Sequence, residues 1–222
     1  MFKKFLLIIN LLLPWGIKRW LFENFFGYEI DPTAKIGLPW IFPKHLIMEA
    51  NSRIGNFTIC KNLDLVHLKE NAIICNGNWI TGFPSSSKEF FADFKERKPQ
   101  LVVGNHSAIT NRHLIDCTDS VIIGNFSTFG GFDSQILTHS ISIELCKQTA
   151  APVAIGDYCF VGTNCIILAG ASLPSYSVLG AKSLLNKQYC DPYILYAGIP
   201  ARAIKSLPEE YLYFSRTVGY IN

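Results

Sequence analysis

Aliphatic side chains recur at Ile155, Val161, Ile167, Leu173 and Leu179, each six residues after the last. The fourth position after each is small: Cys159, Cys165, Ala171, Ser177 and Ser183. A helix of 3.6 residues per turn carries every sixth side chain to a different face, and a strand alternates every second residue, so neither pattern has this period. The regular solution is a coil that turns a corner every six residues. Each side is then a short strand, the aliphatic points to the axis, and the small residue sits inside near the corner. Gly162 and Gly180 ease the tight geometry there. Three sides close one triangular turn of about eighteen residues.

The same pattern runs weakly from Ile30 through Ala34, Ile36, Ile54, Thr58, Leu68, Ala72 and Ile74. It strengthens at Val103, Ile109, Ile115 and Val121, where Ser107, His113 and Asp119 take the fourth-after slots. Two stretches break it. Pro84 to Pro99 reads as a helix capped by Ser85 to Ser87, with Phe90, Phe91 and Phe94 on one side and Lys95, Glu96, Arg97 and Lys98 toward water. Ser140 to Pro152 is a second loop, opening directly after Thr138 and His139. Domain boundaries follow: an apolar helical cap or membrane-associating segment over 1–28, the coil over 29–205 with excursions near 82–100 and 140–152, and a tail over 206–222 that forms a helix over the last coil.

Composition narrows the function. A chain of 222 residues that is 49% hydrophobic and 17% charged buries one sizeable core. A net charge of +3 and a pI near 8.4 are too mild for nucleic acid and suit an anionic cofactor. The seven cysteines form no CxxC pair, and Cys159 and Cys165 fill interior slots as buried thiols of a reducing compartment. The apolar run from Phe5 to Leu13 is too short to span a bilayer and lacks a cleavage site. It caps the open end of the coil or, through residues 1–20, touches the inner face of a membrane from the cytoplasmic side.

Ile155 to Phe160 and Val161 to Ile166, together with Thr138-His139 and the string Ala197-Gly198-Ile199-Pro200-Ala201-Arg202, resemble the hexapeptide-repeat acyltransferases, in particular sugar O-acetyltransferases of surface-polysaccharide biosynthesis. The resemblance implies an all-β left-handed parallel β-helix with short N- and C-terminal helices, a homotrimer with sites between subunits, and acetyl-CoA as co-substrate with no metal. It makes His139 the general base on a sugar hydroxyl. Asp116, Asp133 and Glu144 are all candidates to orient the ring, and Asn111, His113 and Trp79 are acceptor-side candidates. The pantetheine arm would run past Gly162, Thr163, Gly180 and Ala181, with the Thr163 N–H as oxyanion donor. Lys182, Lys187, Lys205 and Arg202 would meet the nucleotide phosphates, Arg202 matching the basic residue of the family's string. No Ser or Cys stands in a base-paired setting, which favours direct transfer.

Three other readings stand beside this one. The acceptor is an amine, of an amino sugar or amino acid. The protein is a zinc enzyme of the β-helix carbonic anhydrase type, which needs three convergent histidines. It is a scaffold without catalysis, which needs no base beside a loop.

Overall fold

The computed structural model describes residues 13–87, 90–91, 94 and 96–221. The chain winds as a left-handed parallel β-helix whose three faces are separate sheets. The first face starts at Glu29–Ile30 and ends at Ser172–Leu173, the second runs from Lys35–Ile36 through Val178–Leu179 to Ile194–Gly198 with Ala201–Ser206 added antiparallel at its end, and the third from Trp40–Phe42 to Leu184–Leu185. Strands within a face pair in parallel with the next coil, and the register is what the sixes require. On the second face Ile109, Phe129, Val161 and Leu179 stack in one column, while Ile115, Ile136, Ile167 and Leu185 stack on the third. Ile155, Val161 and Ile167 share one buried hydrophobic cluster. Burying such columns supplies most of the stabilisation, at roughly 25 cal/mol per Å² of apolar surface.

The small slots have a second task. A corner bends the backbone inside the prism, so its amides and carbonyls need partners that water cannot supply. Ser107 Oγ donates to Gly124 O (2.6 Å) and accepts from the Ser127 amide (2.8 Å). Ser127 repeats this one coil on, donating to Gly156 O and accepting from the Cys159 amide. Cys159 and Cys165 are buried thiols as expected, the first pushed up to about 12 by burial, whereas Cys146 and Cys190 lie exposed.

Helix α1 (Trp15–Phe26) closes the first coil. Phe22 is buried in the core cluster, Phe26 and Tyr28 pack beside it, and the Lys18 amine donates to Gly37 O (2.7 Å). Most of the expected apolar segment lies in residues 1–12, outside the described residues. Among those described, no helix is long and apolar enough to cross a membrane.

Two expectations are corrected and a third is given its form. The tail forms no α-helix; it has one 3-10 turn (Leu212–Phe214) and runs back along a corner, with Tyr213 Oη donating to Cys159 O. There it covers a stack of rings, Phe126, Tyr158, Tyr176 and Tyr193, one from each successive coil. The expected helix within 84–99 falls partly on residues 88, 89, 92, 93 and 95, outside the described residues. The others form turns, Phe91 is buried while Phe90 is exposed, and Arg97 is buried because its guanidinium serves backbone carbonyls. The loop after Thr138 is an antiparallel hairpin, His139–Ser142 against Lys147–Ala150, in which His139 opposes Ala150.

Candidate active site

The third face ends in a corner that is longer than six residues, and there the site is built. In the strand Leu114–Asp116, Ile115 points inward, so Asp116 falls on the other side of the pleat. One coil later Thr138 takes the interior slot and His139 emerges beside Asp116. The His139 Nδ1 to Asp116 Oδ2 distance is 2.8 Å.

Asp116 is 4% exposed yet fully served. Its Oδ2 accepts from the amides of Thr138 (2.8 Å) and His139 (3.1 Å), the Thr138 hydroxyl (2.8 Å) and the imidazole. Its Oδ1 accepts from the Thr118 hydroxyl (2.6 Å) and amide (3.1 Å). Burial pushes the carboxyl pKa up, but the hydrogen bonds from His139, Thr118 and Thr138 outweigh it and hold the group below the usual carboxylate value. An ionised carboxylate only accepts, so His139 carries its proton on Nδ1 and leaves the Nε2 lone pair free. The bond to Asp116 raises the imidazole pKa above the ordinary 6.5, against the opposing effects of burial and of Arg97.

The rings of Phe83 and Phe91 stand edge-on to the imidazole, with centroids 5.6 and 6.0 Å away. A cavity of about 610 Å³ lined by Arg97, Lys98, Gln100, Asp119, Ser120 and Ala150 opens at the foot of the hairpin. Ala150, at its rim, is the ladder partner of His139, while the imidazole itself does not line the cavity.

The other candidates fall elsewhere. Asp133 is exposed in a left-handed turn and Glu144 is exposed at the hairpin tip. His113 is sealed in the interior, which removes it from any acceptor contact, and burial lowers its pKa to about 4. Asn111 is spent on a corner, its Oδ1 accepting from the Asn76 amide (3.0 Å). Trp79 does face outward on the Asp116 side of the third face, one coil earlier, with the Lys61 amine 5.0 Å from its ring centre.

Of the expected cofactor residues, Gly162, Thr163, Gly180, Ala181 and Lys182 form one strip along the corner between the second and third faces. Lys182 N donates to Thr163 O, and a side chain on Gly162 would meet the Ala181 backbone at 2.7 Å. Gly162 is therefore required by the stacking of coils, as its place at a tight corner predicts. Gly180 is held to the same rule by the Ala197 side chain. Lys187 lies instead on the edge that carries His139, and Lys205 and Arg202 are exposed on the last strand, Ala201–Ser206. In one chain, then, the base and the strip occupy different edges of the prism.

Thr118 and Arg97 were not recognised as parts of the site in the sequence, and Thr138 reads there only as the residue before His139. Asp116-Cys117-Thr118 does carry a signal, because an Asp two residues before a Thr is the pattern of a side chain closing its own turn. Among the described residues no three His, Cys, Asp or Glu side chains converge on a metal-sized space, which leaves the zinc reading without a ligand set there.

Fold and site together define a hexapeptide-repeat β-helix protein carrying a carboxylate-held imidazole at one edge. No protein-family model matches the chain. It is similar to the galactoside O-acetyltransferase of Escherichia coli (strain K12), 26% identical over 104 residues covering 46% of this chain and 48% of that protein. The galactoside O-acetyltransferase of Lactococcus lactis subsp. lactis (strain IL1403) is 28% identical over 124 residues, 54% of this chain and 58% of that protein. The chain thus spans about half the length of the curated relatives it matches. A solved hexapeptide-repeat-containing acetyltransferase from Vibrio cholerae shares the fold, with a TM-score of 0.51 and 22% identity over 63% of this chain and 72% of that one.

Proposed function

We propose that the protein transfers an acetyl group from acetyl-CoA to a hydroxyl of a sugar, with His139 as general base. The observation that carries this reading is the Asp116–His139 pair at 2.8 Å, which fixes the tautomer and leaves Nε2 as the only basic atom of the ring. The likeness to two galactoside O-acetyltransferases supports an oxygen acceptor.

The acceptor presents a hydroxyl to Nε2. As Nε2 takes its proton, the hydroxyl oxygen attacks the thioester carbonyl carbon. A backbone N–H on a coil edge, that of Thr163 in this reading, stabilises the tetrahedral oxyanion. The C–S bond then breaks, the imidazolium returns its proton to the departing thiolate, and the acetyl ester and free CoA leave. Asp116 stays ionised throughout and stabilises the imidazolium between the two proton transfers.

A base on one edge and a cofactor strip on another meet only if a second copy of the chain supplies one of them, which favours a trimer with its sites between subunits. The direct test is thiol release from acetyl-CoA across a panel of galactosides and other sugars, with mass spectrometry of the product. Acetylated sugar formed by the wild type and lost in His139→Ala is the expected result. Release no greater than that of His139→Ala with every hydroxyl acceptor overturns the proposal.

A further inference from the structure

Residues 82–99 leave the third face after Thr81 and return to the first at Gln100. Phe91, within this excursion, is buried but stands outside the hydrophobic cluster that lines the prism. The coil therefore does not need the excursion for its core. His139 does, because among the described residues Phe83 and Phe91 are the two rings that flank the imidazole.

One side chain ties the excursion down. The Arg97 guanidinium, 8% exposed, donates to the carbonyl oxygens of Phe83, Pro84 (3.0 Å) and Thr118 (2.6 Å). It thereby joins the beginning of the excursion to its end, and both to the residue that hydrogen-bonds Asp116. The same guanidinium lies 4.7 Å from the centre of the Phe91 ring. Other ties among the described residues are the Asp64 and Leu65 amides to Pro99 O (2.8 and 3.3 Å) and amide bonds from Phe83 to Thr118 Oγ1 (3.3 Å), Ser85 to Asp64 (3.3 Å) and Lys98 to Asp119 (3.1 Å), the last two exposed. Burying a cation is costly, and an apolar side chain would close a loop more cheaply if closure were its whole task.

We propose that Arg97 is a positioning residue for the transfer site, latching the excursion so that Phe83 and Phe91 hold the His139 ring in the plane that Asp116 selects. The inference rests on the reading of His139 as the base. Among the described residues Asp116 and Arg97 are the charged groups that act on the imidazole, and Arg97 opposes its protonation, so the latch also favours the neutral ring.

The test uses the full chain carrying ¹³C-labelled histidine, with the His139 ring signals assigned by their loss in His139→Ala. Flanking aromatic edges displace those signals, and this shift is readable without any substrate. In Arg97→Gln the shift should collapse toward the free-histidine value while the thermal transition of the coil is retained. Turnover of acetyl-CoA with p-nitrophenyl β-galactoside should fall about 10- to 100-fold in kcat, the range for a misplaced catalytic group, with little change in KM for acetyl-CoA. Arg97→Lys should recover only part, since an ammonium cannot reproduce the planar fork. Unchanged ring signals and kcat in Arg97→Gln overturn the proposal. If that variant fails to fold, Phe91→Leu decides: a lost ring shift on an intact coil supports the latch, and an unchanged shift overturns it. Absence of wild-type turnover with this galactoside and with every other hydroxyl acceptor of the panel would instead overturn the acetyl-transfer reading, a failure that the ring signals distinguish from failure of the latch.

Discussion

His113 and His139 sit on successive coils at the two ends of the third face, and they are opposites. His113 fills an interior slot that in other coils holds Thr58, Asn78, Ser134 or Cys165. The Ser134 amide donates to its Nδ1 (3.2 Å), so the proton is on Nε2, facing Thr110 Oγ1 (3.0 Å). Its hydrogen-bond partners are neutral, and burial holds its pKa near 4. His139 carries its proton on Nδ1, leans on a carboxylate, and is half-buried with a raised pKa. Residue type is the same in both; the partner and the side of the pleat decide which ring is structural and which is a base.

Kinetics should separate the pair first. His139→Ala should lose about 10²- to 10⁴-fold in kcat, the usual contribution of a general base, while His113→Leu keeps its turnover. Equal losses in the two variants would erase the distinction. Asp116→Ala comes next: it strands the amides and hydroxyls of Thr118 and Thr138, costing about 1–3 kcal/mol of stability by thermal or urea unfolding, and lets the imidazole turn, so kcat falls as well.

Stability against pH sharpens the contrast, because the two rings pull in opposite directions. His113 is depressed, so the unfolded chain protonates first and stability falls as pH drops from 6.5 toward about 4, by up to about 3 kcal/mol. His113→Leu should flatten that slope. His139 is raised, so its pairing contributes most below 6.5 and is lost as pH rises through its own higher value. Asp116 is lowered, and its contribution is present above the ordinary 3.8 and lost as pH falls through the depressed value. The smallest effect is on the rate profile. A base must be neutral to act, so kcat/KM should rise through a pKa above 6.5, and Asp116→Asn should move that limb to lower pH.

The coil was legible because its register repeats: every sixth aliphatic from Ile155 onward must be interior, and each is. The site was legible only in part. His139 stood out beside Thr138 and the loop, but its partner lies 23 residues earlier in sequence, on the preceding coil. Corner lengths vary there, so Asp116, Asp133 and Glu144 could not be ranked by spacing. Arg97 was hidden for a different reason. In a run of charges it reads as solvated, and only the fold reveals the carbonyls of Phe83, Pro84 and Thr118 that converge on it.

The most direct measurement is a titration of the five labelled histidines by NMR in the wild type and in Asp116→Asn. His139 should titrate above 6.5 and move down in the variant, while His113 stays uncharged until about pH 4 in both. A His139 signal at or below 6.5 that is indifferent to the loss of the Asp116 carboxylate would contradict the assignment of this pair as the base and its holder.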